Sequence, residues 1–266
     1  MPQLEVPGTT LYYEDSGGPG PAVVFSHGLL WSHRMFAAQV AHLAPRRRCI
    51  GYDHRGQGQS APATEASVSI ETCAEDAAAL IERLGVGPCD FVGLSMGGFV
   101  GMRLAARRPE LIRRLVLLET SADAEPPENV PRYRRLALVA RTLGLWPVAT
   151  PVMRIMFGRT IREDPRRRGQ LAHWRQELLR NRRDIVRAVY GVIERAPVYD
   201  ELPNIRAPTL VVVGEDDTAT VPAKAERIAA RIPGARLVRV PGAGHSSCIE
   251  EPARINTLLE EFLLST

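Results

Sequence analysis

Ser95 sits in Gly93-Leu94-Ser95-Met96-Gly97, after an apolar run at 89–92 and before a helical pattern over 99–107. A G-x-S-x-G pentapeptide between a strand and a helix forms a nucleophile elbow. The turn is so tight that the serine takes strained backbone angles, and only small flanking residues let neighbouring backbone approach it. Gly93, Gly97 and Gly98 are such residues. The pattern predicts a serine hydroxyl pushed out at the tip of a sheet, where it would attack a carbonyl.

A serine hydroxyl is a poor nucleophile at neutral pH, so it needs a general base and a carboxylate that holds the base in the right tautomer. In folds with this elbow the chain order is serine, acid, histidine, each at the end of a different strand. Only His173 and His245 follow Ser95. His173 lies in an arginine-rich helical pattern over 166–181 with no strand before it, which suits a surface or cap residue. His245 closes the glycine loop Pro241-Gly242-Ala243-Gly244-His245 directly after a short apolar strand at 236–240, and is the better base. Between them the buried-looking run at 209–213 ends in Gly214-Glu215-Asp216-Asp217. Spacing alone leaves the three carboxylates open, since a one-residue slip moves a side chain across the turn. A tetrahedral intermediate also needs backbone donors for its oxyanion, each worth about 3 to 4 kcal/mol of transition-state stabilisation. The amide after the nucleophile, that of Met96, is the first candidate.

These motifs together resemble the alpha/beta-hydrolase superfamily over nearly the whole chain, with the specific likeness confined to the catalytic loops. The resemblance assigns the acid through a G-x-x-D pattern to Asp217. It also leaves a variant in which the acid ends the strand after the elbow helix, at Glu119 or Asp123. His27-Gly28-Leu29-Leu30, after the strand at 22–26, is similar to the superfamily's oxyanion loop and nominates the Leu29 amide as second donor, with His27 a structural member of that loop. Asp53-His54-Arg55-Gly56-Gln57-Gly58-Gln59-Ser60 resembles its D-x-R-G-x-G-x-S loop, in which Asp53 and Arg55 brace the turn and His54, with His33, could line the entrance. The G-L-S-M-G-G elbow is similar to that of 3-oxoadipate enol-lactonases and related small esterases. A Ser95, Asp217, His245 triad acting on a small-molecule ester or lactone through an acyl-enzyme is what this implies. Carbon–carbon bond hydrolases of aromatic degradation, which share the S-M-G-G sequence, are the first alternative. A non-catalytic ligand-binding or signalling protein on the same scaffold is the second. No metal, nucleotide or flavin is implied, because none of the glycine loops has phosphate-binding spacing.

The elements that must position these residues follow from periodicity. Strands at 3–6 and 10–15 form a hairpin around Pro7-Gly8, and further strands are expected at 22–26, 48–52, 89–94, 113–119, 209–214 and 236–240. Helices are expected at 36–44, 69–84, 96–107, 222–232 and 252–264. In the second of these, Ile70, Cys73, Ala77, Leu80, Ile81 and Leu84 recur at helical spacing. Such alternation builds a mainly parallel sheet with helices on both faces. From about 121 to 206 no strand pattern occurs and proline-punctuated helical segments take over. In the resembled superfamily this is a helical cap between core strands, giving an eight-stranded alpha/beta-hydrolase core at 1–121 and 207–266 with a cap at 122–206. Trp146, Met153, Met156, Phe157, Trp174 and Tyr190 are its candidate substrate contacts, with Trp146, Met153, Phe157 and Trp174 put forward for the site. The cap is also rich in arginine, and one inward arginine would suit a substrate carboxylate.

Composition bounds the rest. The net charge of +4 comes almost wholly from arginine, with Lys224 the only lysine, and the arginine clusters at 46–48 and 166–168 are short and separated. That argues against a nucleic-acid partner. No charged leader precedes an apolar stretch and no run of eighteen apolar residues occurs, which predicts a soluble cytoplasmic protein with no membrane partner. Cys49, Cys73, Cys89 and Cys248 are widely spaced and are expected as buried free thiols rather than a disulfide or zinc framework. Association into a homo-oligomer is left open.

Overall fold

The computed structural model describes residues 2–264. Its strands are β1 (Gln3–Val6), β2 (Thr9–Asp15), β3 (Ala22–Ser26), β4 (Arg48–Tyr52), β5 (Cys89–Leu94), β6 (Ile112–Leu118), β7 (Thr209–Gly214) and β8 (Arg236–Val240). They form one sheet in the order β1-β2-β4-β3-β5-β6-β7-β8. β1 and β2 pair antiparallel around the expected turn, with Val6 opposite Thr9, and β2 runs antiparallel to β4. The remaining pairs are parallel. β3, β5 and β7 are buried along their whole length, as strands covered on both faces must be, and their sequences are accordingly near-continuous apolar runs.

Helices α1 (Ala37–Leu43), α2 (Ile70–Arg83) and α3 (Met96–Arg107) alternate with the strands in the first part of the chain. Between β6 and β7 lie α4 (Val130–Leu143), α5 (Ala149–Met156), α6 (Arg159–Glu163), α7 (Arg168–Leu179) and α8 (Val186–Ile193), and α9 (Pro222–Arg231), α10 (Ser247–Glu250) and α11 (Pro252–Leu263) complete the chain. α2 starts where Ser69 Oγ accepts the Thr72 N–H at 3.0 Å, an N-cap that satisfies one orphan amide. Of its predicted apolar stripe, Ile70, Cys73, Ala77, Leu80 and Ile81 are buried, and Leu84, just past the end of the helix, is half-buried. Alternate strand residues divide between two apolar clusters. Val24, Phe91, Leu115 and Val211 pack on the α2 and α3 side, and Val23, Val92, Val116 and Val212 pack on the other with α1, α11 and part of the α4–α8 segment. The sheet therefore anchors every loop at its C-terminal edge from both faces. The four cysteines are free and buried. Among the described residues no helix is long and apolar enough to cross a membrane.

Candidate active site

β5 ends at the elbow, and Ser95 takes φ 52° and ψ −110°, in the left-handed half of backbone space that side chains rarely adopt. The strain is held by close packing. The Ser95 N–H bonds the Leu118 carbonyl of β6 at 2.9 Å, and the Thr120 hydroxyl bonds the Ser95 carbonyl at 2.8 Å. A Cβ on Gly97 would lie 1.9 Å from the Ser26 carbonyl oxygen, and one on Gly93 would lie 2.3 Å from that of Gly97. Both contacts are backbone on backbone, so nothing flexible can yield. Gly97→Ala is accordingly expected to destabilise the fold by about 3 kcal/mol, read as a lowered urea midpoint. An unchanged midpoint would mean that the elbow can relax.

His245 follows β8 in its glycine loop. Its Nε2 lies 2.9 Å from Ser95 Oγ, and its Nδ1 lies 2.9 Å from Asp217 Oδ2. Asp217 Oδ1 accepts the Ala219 and Thr220 amides at 2.8 and 3.0 Å, while Oδ2 also accepts the Thr220 hydroxyl at 2.7 Å. Burial works against its charge, but His245 and the Thr220 bonds outweigh it and hold the carboxyl below its ordinary value. Asp217 thereby stays an acceptor for an Nδ1–H, which leaves Nε2 free to accept the Ser95 proton. The other candidate acids lie elsewhere. Glu215 is exposed, Asp216 accepts the Thr160 amide and hydroxyl at 2.9 and 2.8 Å, and Asp123 pairs with Arg227 at 3.2 Å.

Glu119, at the end of β6, is fully buried and accepts the Ser247 hydroxyl at 2.8 Å rather than touching His245. Burial, and then the Asp217 charge, push its carboxyl well above the usual range, which favours the neutral form. The folded protein thus retains a proton that the unfolded chain releases above pH about 4.5, so this group makes stability fall as pH rises past that point. The stability of Glu119→Gln relative to wild type is expected to grow with pH from there, by up to about 1.4 kcal/mol per unit, in urea titrations at several pH values. A pH-independent difference would contradict the neutral assignment.

Met96 is the first residue of α3, so its N–H has no intrahelical partner, and the helix dipole directs partial positive charge toward the same point. No hydrogen bond among the described residues engages the Leu29 N–H. Leu30 takes φ 71°, and its amide bonds Gln57 Oε1 at 3.1 Å while Gln57 Nε2 reaches Met96 Sδ at 3.4 Å. Gln57 therefore ties the Leu29 loop to the elbow. His27 is buried: the His54 amide donates to its Nε2 at 3.0 Å, which assigns the proton to Nδ1, donating to the Gly28 carbonyl at 2.8 Å. His33 bonds Asp53 and His54 faces Ser26, so both brace loops.

A cavity of about 140 Å³ opens over Ser95 and His245, with Leu29, Leu30 and Phe99 on its floor and residues of the α4–α8 segment as its roof. The expected cap contacts need correction, because Trp146, Met153, Phe157, Trp174 and Tyr190 do not line this cavity, whereas Met156 does. Trp146 is 71 % exposed: the 3₁₀ turn at Trp146–Val148 directs Leu145 and Val148 inward and Trp146 out. On α5, Val152, Ile155 and Met156 share the cavity face, and Met153, a hundred degrees round from Val152, packs into the apolar cluster instead. Phe157 and Trp174 stack edge-on against Trp31, at 6.0 and 5.3 Å between centroids. They serve packing between the helical segment and the core.

Sequence reasoning also missed Glu250. Its buried carboxylate accepts the Gly158 and Gly244 amides at 2.9 and 3.0 Å through Oε2 and the Ser246 amide at 3.0 Å through Oε1. It grips the backbone on both sides of His245 and ties that loop to the helical segment. Its position five residues beyond His245 carried no signal, since its partners are backbone groups.

The sequence matches the model of the family described as "Alpha/beta hydrolase family" over residues 23–258. The chain is similar to the enol-lactonase from Burkholderia xenovorans LB400, with 33 % identity and a TM-score of 0.91 over 99 % of this chain and 100 % of that one. A thermophilic esterase from Thermogutta terrifontis, in a malate-bound structure, is 32 % identical with a TM-score of 0.89, covering 98 % and 96 % of the two chains. BpoC of Mycobacterium tuberculosis, provisionally named a non-heme bromoperoxidase, is 31 % identical over 96 % of this chain and 98 % of its own.

Proposed function

Because the chain belongs to the alpha/beta hydrolase family, we propose that it is a serine hydrolase that cleaves a small carboxylic ester or lactone through an acyl-enzyme. The observation that carries this reading is the continuous relay from Asp217 Oδ2 to His245 Nδ1 and from His245 Nε2 to Ser95 Oγ, each step 2.9 Å. His245 takes the Ser95 proton as Oγ attacks the carbonyl carbon, and the Leu29 and Met96 amides receive the oxyanion. The tetrahedral intermediate collapses as His245 returns that proton to the departing alkoxide. Water, deprotonated by His245, then attacks the acyl group and restores Ser95. In a lactone the alkoxide stays tethered to the acyl chain, so ring opening precedes release.

The enol-lactonase and esterase likenesses support ester over carbon–carbon chemistry, and so does the mainly apolar wall, which suits a short acyl chain. We read residues 122–206 as a cap that keeps bulk water from the acyl-enzyme. Steady-state hydrolysis of short p-nitrophenyl esters and small lactones, an enol-lactone included, tests the reading. Turnover that disappears in Ser95→Ala is expected. Turnover of none of them, beside cleavage of a vinylogous diketone, would replace it with carbon–carbon hydrolysis.

A further inference from the structure

Resting on the serine-hydrolase reading, we propose that Arg195 and Tyr133 form a subsite for an uncharged oxygen acceptor, such as a ketone oxygen, carried by the substrate away from the scissile carbonyl. Arg195 is the cap arginine that lines the cavity, and it is only 5 % exposed. Its guanidinium stands 4.5 Å from the centroid of the Phe99 ring. Phe99 is one helical turn beyond the nucleophile, its amide bonded to the Ser95 carbonyl at 3.0 Å, so the arginine is held over the same wall that leads to Ser95.

The guanidinium cannot swing. Its Nε donates to the Asp123 carbonyl at 3.0 Å, and Nη1 donates to Glu125 Oε2 at 2.9 Å and to the Val192 carbonyl at 2.7 Å. Glu125 is fixed in turn, its Oε1 accepting the Asn129 amide group at 3.0 Å. Nη2 makes no hydrogen bond among the described residues and is the nitrogen left to serve a ligand. Tyr133, half-buried, lines the same cavity, and its hydroxyl makes no hydrogen bond among the described residues either. Two unmet donors in an apolar chamber are a positioned demand for an oxygen, and a substrate lacking that oxygen leaves them unpaired.

Charge decides which oxygen. The Arg195 cation already faces the Glu125 anion, so the pair is neutral. A substrate carboxylate would set a second negative charge beside Glu125 in a low-dielectric cavity, whereas a ketone accepts from Nη2 and adds no charge. The carboxylate partner that the arginine-rich cap suggested is therefore replaced by a neutral one.

The test uses p-nitrophenyl esters of one medium-length acyl chain: the plain ester, the same ester with a ketone at each successive carbon, and the same ester with a terminal carboxylate. Each rate is normalised to its own alkaline hydrolysis. One oxo position is expected to raise kcat/KM at least about tenfold over the plain ester, the carboxylate is not, and the gain is expected to vanish in Arg195→Met. Tyr133→Phe should reduce it. No gain at any oxo position in wild type overturns the subsite, as does a gain that survives Arg195→Met. A preference for the carboxylate would make it an anion site and overturn the neutral assignment. Arg195→Met strands the Glu125 charge, so Glu125→Gln/Arg195→Met is the companion variant, and the wild-type comparison needs no variant. If the plain ester is turned over but no ketone helps, the subsite alone fails. If no ester shows Ser95-dependent turnover, both readings fail.

Discussion

Ser95→Ala is expected to lower kcat for ester hydrolysis by about a millionfold, as loss of the nucleophile does in analogous triads. Removing Oγ deletes the atom that the proposed mechanism acylates and leaves His245 Nε2 without the partner it meets at 2.9 Å in the wild type. The Leu29 and Met96 amides and the cavity remain, so a residual rate of about a thousandfold over water is expected from binding and oxyanion stabilisation. KM should change little, because Oγ is a small part of a mainly apolar chamber. Ser95→Ala that keeps more than about one per cent of wild-type turnover, measured on protein free of wild-type contamination, would move the chemistry off this serine.

Asp217→Asn is expected to lower kcat by about ten-thousandfold, for a reason the hydrogen bonds make specific. Oδ1 accepts two backbone amides, Ala219 and Thr220, which require an oxygen at that position. The asparagine carbonyl must therefore take the Oδ1 place, which sets its NH₂ where Oδ2 now meets His245 Nδ1. An NH₂ there donates to Nδ1 and drives the imidazole proton to Nε2, the nitrogen that has to accept from Ser95. Since Asp217 does not line the cavity, KM should again hold while kcat collapses. Wild-type turnover in Asp217→Asn would shift the acid role to another carboxylate, with Glu119 next in line despite its present bond to Ser247.

Much of this architecture was legible because it is local. The β5 run, the glycines and the start of α3 are contiguous, so the elbow and its flanking elements could be read from adjacent residues, and the apolar runs at β3, β5 and β7 announced buried parallel strands. The proposed acid was legible only in part. Three consecutive carboxylates follow β7, and the choice of Asp217 depended on a likeness to other sequences, since the turn that points it at His245 is stabilised by its own bonds to Ala219 and Thr220. What remained hidden depends on packing between distant segments. Glu250 meets Gly158 across 92 positions, and Arg195 meets Glu125 across 70. Trp146 and Met153 were misassigned because periodicity says which residues share a helix face but not which face meets the cavity. Phe157 and Trp174, also expected at the cleft, use their area to dock on Trp31.

The central claim is a covalent acyl-Ser95 intermediate, and the most direct measurement is rapid mixing of enzyme with excess p-nitrophenyl ester, followed by acid quench and mass analysis of the peptide that contains residue 95. The account predicts a p-nitrophenol burst approaching one equivalent of active sites wherever deacylation is slower than acylation, and the acyl mass on Ser95. Both should be absent from Ser95→Ala. Acyl mass on a different residue, or full turnover without any Ser95 adduct under conditions that trap the steady state, would contradict it.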